Sequence, residues 1–215
     1  MQASETKKTL QEAKKQSEKR NFTQSIDLIF TLKNLDFKKP DDHVDFYATM
    51  PNSIGRETKT CALVGPELVE EATKNCDRVI RVEEFEKIDK KEIKKLAKEY
   101  HFFIAQANIM AQVAKTFGRV LGPRGKMPDP KAGCVVPPKT QLKPLIERLN
   151  QTIRVSAKKD PVIHLLAGRE DQDEEEVAAN IAHLYNQLLT NLPLEINNLK
   201  ATYVKTTMGK PVVLQ

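Results

Sequence analysis

From residue 59 to 151 the chain changes its grammar, and that change limits what it can fold into. Short apolar, β-favouring runs at 61–64, 78–82 and 102–105 alternate with helical stretches at 67–74, 89–100 and 108–116. Strand and helix in alternation at this spacing predict a parallel sheet with crossover helices. Asp89 to Glu92 reads as a capping box that opens the second helix, and Asn108 reads as the cap of the third. A last helix at 140–150 closes the block.

Both flanks read differently. A weakly amphipathic helix at 5–19, centred on Leu10 and Ala13, stops at Asn21. Phe22, Ile26, Leu28, Phe30 and Leu32 then fall two or four apart on one face of a strand, with Ser25, Asp27 and Thr31 on the other. Val44, Phe46, Ala48 and Met50 repeat that period after a basic turn at Lys33 and Phe37 to Pro40. Near the C-terminus, strands at 152–157 and 162–167 flank the basic hairpin tip Lys158 to Pro161. A long helix at 171–191 follows, acidic in its first turn, with Val177, Ile181, Leu184, Tyr185, Leu188 and Leu189 as its apolar stripe. A strand at 199–207 ends the pattern. The expected architecture is an α/β chain of two lobes. An outer α+β lobe with an antiparallel sheet combines 1–58 and 152–215. A three-layer, Rossmann-like lobe with a mostly parallel sheet, residues 59–151, is inserted into it.

Composition narrows the class of function. The formal net charge of +6 favours a polyanionic partner. The inserted block holds 18 Lys and Arg against 12 Asp and Glu, which leaves 17 of each sign in the flanks. Charge alone therefore points to the inserted block. Six of the flanking acids, however, crowd into Glu170 to Glu176, and a helix start that faces away would leave the opposite face basic. The three cysteines, Cys61, Cys76 and Cys134, form no Cys-x-x-Cys pair, so neither a disulfide framework nor a zinc ribbon is expected, and a reducing compartment fits. No apolar run approaches a membrane span, and no apolar targeting segment opens the chain.

Two stretches carry chemistry. Thr206, Thr207, Met208, Gly209 and Lys210 offer two hydroxyls, a soft apolar side chain, an open backbone and an amine. That set suits a surface lying against a sugar–phosphate edge. Residues 118–133 hold four glycines, three prolines and four basic side chains and are expected to be loop throughout. They fail as a phosphate-binding P-loop: Val120 stands where the first glycine belongs, and Met127 replaces the hydroxyl after Gly125-Lys126. The four histidines are scattered, with no metal-ligand spacing. His164, beside the basic hairpin tip, is the one admitted as an RNA contact. No catalytic residue, metal site or cofactor is expected.

Three pieces, Asn21-Phe-Thr-Gln-Ser-Ile-Asp27, the whole of 118–133, and Val204-Lys-Thr-Thr-Met-Gly-Lys-Pro211, together resemble the ribosomal protein L-one family, the protein of the mobile stalk of the large ribosomal subunit. They occur in family order, the likeness covers nearly the whole chain, and the Gly-Lys-Pro close with no extra tail is most like an archaeal member. The resemblance implies a two-lobed fold with the main RNA site on the outer lobe, at Ser25, Asp27, Phe37, Lys38, His164, Thr206, Thr207, Met208 and Gly209. A weaker, charge-driven contact is implied at Arg119, Arg124, Lys126 and Lys131. It also implies a cytoplasmic, ribosome-associated monomer whose partners are large-subunit rRNA, an operator in its own mRNA and exiting tRNA. Two other classes stay open on the residues alone: a nucleotide-binding enzyme using 118–126 as a phosphate cradle, and a protein–protein scaffold. On the leading reading, excising 59–151 behind a short linker leaves a folded RNA binder. A product that folds but does not bind would move the main site to the inserted lobe.

Overall fold

The computed structural model describes residues 3–39 and 42–214; Pro40, read as the end of the basic turn, lies outside them. In chain order the regular elements begin with α1 (Ala3–Lys15), β1 (Ser25–Leu32) and β2 (Val44–Thr49). Next come β3 (Thr60–Val64), α2 (Val69–Asn75), β4 (Arg78–Arg81), α3 (Lys90–Glu99), β5 (Phe102–Gln106), α4 (Met110–Leu121), β6 (Val135–Val136) and α5 (Lys143–Asn150). The chain closes with β7 (Thr152–Ala157), β8 (Val162–Arg169), α6 (Glu174–Asn191), β9 (Leu199–Thr206) and β10 (Val212–Val213). It divides into two compact units, one made of the segments up to Arg56 and from Gln151, the other of Glu57–Asn150.

In the first unit an antiparallel sheet runs in the order β10-β9-β1-β8. β1 alternates between half-buried and buried residues along its whole length. Its buried set, Ile26, Leu28, Phe30 and Leu32, packs with Ile163, Leu165 and Ala167 of β8 and Val204 of β9. Leu10 and Ala13 of α1 and Val177, Ile181, Leu184, Tyr185 and Leu188 of α6 cover that face. This is the physical meaning of the period-two and period-3.6 stripes in the sequence: each element hides one side against the others. The antiparallel ribbon of β2 and β7 adds Val44, Ala48, Met50, Val155 and Ala157 to the same core. Polar contacts also join the two helices: Lys7 pairs with Glu175 at 2.7 Å, and Gln11 donates to Glu174 at 2.8 Å.

The second unit holds a parallel sheet in the order β4-β3-β5-β6. Every residue of β3 is buried, as expected of a strand covered on both faces. Phe85 and Phe117 meet edge to face at 5.1 Å within this core.

The mixed α/β class agrees with expectation, and the inserted sheet is parallel throughout. Several local expectations differ. Phe22 lies outside β1 and is 53% exposed, because the strand begins only where Ser25 pairs with Arg169. Asp89 stands at the N-cap of α3 but its side chain makes no capping hydrogen bond. Asn108 lies inside a 3-10 turn, Ala107–Ile109, and caps nothing. The four residues from Gly118 to Leu121, read as loop, form the last turn of α4, because Phe117, Val120 and Leu121 are buried there and Gly118 faces open space.

Asp45 of the first unit is held by two cations. Arg154 grips it through Nε to Oδ1 and Nη2 to Oδ2, each at 2.9 Å, and Lys158 Nζ lies 2.6 Å from Oδ2. Burial pushes this carboxyl up, but the bonds from Arg154 and Lys158 outweigh it and hold the pKa at about 2. A depressed pKa stabilises the fold fully above about pH 4, and the contribution is lost as the pH falls through about 2. Asp45→Asn is expected to cost about 1 kcal/mol near neutrality, allowing for solvent screening of a partly exposed pair. Denaturant melts at pH 6 and pH 2 check this: the gap between wild type and variant narrows at pH 2, and a constant gap would mean the charge is not its source.

Candidate nucleic-acid interface

One face of the four-stranded sheet is left open by α1 and α6. Register fixes what it displays. Asp27 sits opposite Lys205 on one side and Leu166 on the other. Ile29 sits opposite Tyr203 and His164, and Thr31 opposite Ala201 and Val162. Tyr203 in turn faces Val213 of the edge strand. His164 and Val213 are exposed and the others half-buried, so the face is a mixed floor of apolar side chains, an imidazole, an amine and a carboxyl. Burial pushes the Asp27 carboxyl up, and the charges of Lys205 and His164 pull it the other way.

At the Ser25 end of this face lies the turn after β9. The two threonines that the sequence groups together do opposite things. Thr206 is fully buried and its Oγ1 donates to Ser17 Oγ at 2.9 Å. Thr207 is exposed; its Oγ1 accepts from Ser25 N–H at 2.9 Å and its own N–H donates to Ser25 O at 3.0 Å. Met208 is 60% exposed. A Cβ on Gly209 would collide with Thr206 Oγ1, so close packing requires glycine there.

Gln24, fully buried, holds this turn in place. Its Oε1 accepts from Met208 N–H at 3.1 Å, and its Nε2 donates to Ser17 Oγ at 2.9 Å and Glu18 O at 3.2 Å. Its backbone N–H donates to Glu170 Oε2 at 3.3 Å, and its carbonyl accepts from Glu170 N–H at 2.9 Å. Sequence reasoning passed over Gln24 and placed Phe22 on the buried face of the first strand. The signal for Gln24 was its parity: it shares the buried register of Ile26, Leu28 and Phe30 yet is polar. Phe22 is an exposed aromatic at the same end of the sheet as Met208.

The structure thus brings Ser25, Asp27, His164, Thr207, Met208 and Gly209 to one face and its rim, and withdraws Thr206 into the interior. Phe37 and Lys38 lie outside the sheet, in the segment between β1 and β2. They follow the opposite end of β1, whose eight residues span roughly 25 Å. Phe37 is half-buried against the core and its carbonyl accepts from His43 Nε2 at 2.9 Å. Lys38 is exposed at that far end, its N–H donating to Asp36 Oδ1 at 3.1 Å.

In the second unit, Arg119 lies in the last turn of α4 and Arg124 follows the helix, with Nη1 donating to Lys94 O at 3.2 Å. Lys126 has a different task from the one expected. Its Nζ donates to Ala97 O at 2.9 Å and Tyr100 O at 2.6 Å, so it caps the carboxyl end of α3. Lys131 is exposed in a short turn whose N-cap is Asp129. The glycine-rich segment follows the carboxyl end of a helix, where the dipole disfavours anions, so it is not a phosphate cradle. The other place to hold a nucleotide, outside the carboxyl ends of β3 and β5, has its donor taken: Gly65 N–H gives to Gln106 Oε1 at 2.9 Å. Among the described residues no group of three or more His, Cys, Asp or Glu is placed to hold a metal ion. Burial pushes the Cys61 and Cys134 thiols up to about 12 and Cys76 to about 11, which makes each a poor nucleophile. No helix among the described residues is long and apolar enough to cross a membrane.

Comparison with known proteins points the same way as this geometry. The profile of the Ribosomal protein L1p/L10e family matches residues 13–210. The large ribosomal subunit protein uL1 of Methanothermobacter thermautotrophicus is 41% identical over 212 residues, 97% of this chain and 97% of that protein. That of Methanothermococcus thermolithotrophicus is 40% identical over 210 residues, 97% of this chain and 96% of that protein. That of Nanoarchaeum equitans is 40% identical over 202 residues, 92% of this chain and 94% of that protein.

Gln24→Ala removes three side-chain hydrogen bonds from a buried site and strands the Met208 N–H. It is expected to cost about 1–3 kcal/mol and to speed amide exchange at Met208 more than in β1. Unchanged stability and exchange would show that the turn is held by something else.

Proposed function

This chain belongs to the Ribosomal protein L1p/L10e family, and from that premise we propose that it is an RNA-binding constituent of the large ribosomal subunit that holds folded stalk rRNA against the open sheet face of its first unit. The family is one of ribosomal proteins, not enzymes. The observation that carries the reading is the turn after β9: Thr207, Met208 and Gly209 are presented beside Ser25 by a buried, satisfied amide. Such a turn binds with little ordering cost, because its conformation exists before the partner arrives.

The chemistry of the face suits RNA. Lys205 and His164 suit phosphate oxygens, while Met208, Phe22 and Tyr203 supply apolar surface for ribose and bases. Asp27 repels phosphate and accepts from a ribose 2′-hydroxyl, which favours RNA over DNA at that spot. The same surface is our candidate for an operator in the chain's own mRNA that mimics the stalk, and for contact with exiting tRNA.

Thr207→Ala and Met208→Asp are each expected to weaken binding of a stalk rRNA fragment by about 1–3 kcal/mol, measured by filter binding at fixed salt. Wild-type affinity in both variants would refute the assignment of the turn. Replacing the ribose opposite Asp27 by deoxyribose is expected to weaken wild type and to leave Asp27→Ala less affected. Competition by the transcript of the chain's own gene tests the operator.

A further inference from the structure

At the carboxyl end of its parallel sheet the second unit has an open groove of about 440 Å³, lined by Glu67, Pro137, Pro138 and Lys139. Topology puts it there. β3 runs into Gly65-Pro66-Glu67 and β6 into Pro137-Pro138-Lys139, and β5 lies between those two strands. From β3 the chain goes to β4 on one side and then to β5 on the other, and in such sheets ligands bind in the crevice outside the carboxyl ends. The walls are fixed in advance. Gln106, fully buried at the end of β5, accepts from Gly65 N–H through Oε1 at 2.9 Å and donates through Nε2 to Glu67 Oε2 at 3.1 Å. After β6, Thr140 Oγ1 donates to Pro137 O at 3.1 Å and closes the turn that carries both prolines and Lys139.

The groups of the groove decide what can enter. Pro137 and Pro138 have no N–H to give, and the Gly65 N–H is taken. Glu67, Glu70 and Glu71 stand three and four apart on the outer side of one helical stretch, whose Leu68 and Ala72 are buried. Among the described residues none of these acids, nor Lys139, is in an ion pair. The unit as a whole holds 18 Lys and Arg against 13 Asp and Glu, so this groove runs against the charge around it. The amino end of α2 adds about half a positive charge, which three carboxylates exceed. A phosphate here would meet one ammonium, three carboxylates and no free backbone donor, so the groove suits neither a nucleotide nor an RNA backbone.

We propose that the groove docks an extended segment of another protein, one that carries a lysine or arginine between apolar residues. The cation meets Glu67: Gln106 takes only Oε2, which orients the carboxylate and leaves Oε1 as the acceptor. Apolar neighbours lie against the two proline rings, and Lys139 meets a carbonyl oxygen of the segment's backbone. A free polyamine would leave Lys139 without an acceptor, whereas a polypeptide supplies cation, apolar surface and carbonyl together. A second copy of this chain presenting the same groove would set carboxylates against carboxylates. The site is separate from the sheet face and does not depend on how that face is read.

The probe is a capped hexapeptide of alternating arginine and proline, already extended and so bound with little ordering cost. It is titrated into the isotope-labelled full-length protein, and backbone amide shifts are followed residue by residue. Saturable shifts at Gly65, Glu67 and Lys139 are expected, with a Kd of about 1 mM or tighter. The same peptide with citrulline in place of arginine is expected to bind more weakly. Glu67→Gln keeps an acceptor for Gln106 but removes the charge, and is expected to weaken the arginine peptide about threefold. Glu70→Gln with Glu71→Gln, which leaves the Gln106 contact untouched, is expected to weaken it as well. Met208→Asp is expected to change nothing at these amides, so failure of the sheet-face reading and failure of the groove are read separately. No saturable shift at the three amides, equal binding of the citrulline peptide, or full affinity in both charge variants would each overturn the proposal. An RNA duplex is expected to leave these amides unmoved; saturable shifts with the duplex and none with the peptide would assign the groove to nucleic acid and overturn it too.

Discussion

The candidate surface depends on one buried amide. A glutamine side chain taken out of water is costly unless its acceptor and donors are met, and the Gln24 side chain meets them with groups from two separate parts of the chain, while its backbone meets Glu170 in a third. It joins the exit of α1, the entry of β1, the residue after β8 and the turn after β9. No apolar side chain of the same volume could do this, because dispersion forces do not select one register. The hydrogen bonds do, and they fix which threonine of the pair at 206 and 207 faces outward. The fold supplies the platform, and the amide determines what is displayed at its edge.

Electrostatics follow the same logic of placement over composition. The acids crowded into residues 170–176 are absorbed at the helix pair: Glu174 and Glu175 meet Gln11, Lys14 and Lys7, and Glu170 meets the Gln24 backbone. α6 lies on the covered side of the sheet. The open side keeps Lys205 and His164 around a single half-buried carboxyl. A first unit with 17 Lys and Arg against 16 Asp and Glu thus presents a face whose charge its totals do not describe. Net charge averages over both sides of a sheet, whereas a ligand meets one.

Much of the fold could be read from periodicity. The alternation from Ile26 to Leu32 marked a half-buried strand, and the all-apolar Cys61 to Val64 marked a strand covered on both faces. Both signals are local, and burial enforces them. The errors came where a local signal competed with a distant partner. Glycine and proline density suggested loop from Gly118 onward, but burial of Phe117, Val120 and Leu121 carries the helix one turn further. Lys126 sits in a basic motif, yet the unsatisfied carbonyls at the end of α3 take its ammonium. Phe37 and Phe22 look alike in sequence, each beside a strand end. Only the register of β1 shows that one packs inward and the other stands exposed at the rim. Parity could have separated Thr206 from Thr207, since β9 alternates from Thr202 to its end and Thr206 falls on the buried step.

The pairing of β1 with β8 and β9 has a consequence for biosynthesis. Ser25 to Leu32 leave the ribosome early, but their partners, 162–169 and 199–206, are made long after them. The parallel sheet of the second unit closes entirely between Thr60 and Val136, so its partners are all available while the C-terminal quarter is still untranslated. Contacts of short separation form first, and long loops close slowly. The nascent polypeptide therefore acquires its inserted half while β1 is still an unpaired ribbon. The surface proposed to grip RNA therefore comes into being only once residues 199–206 have emerged.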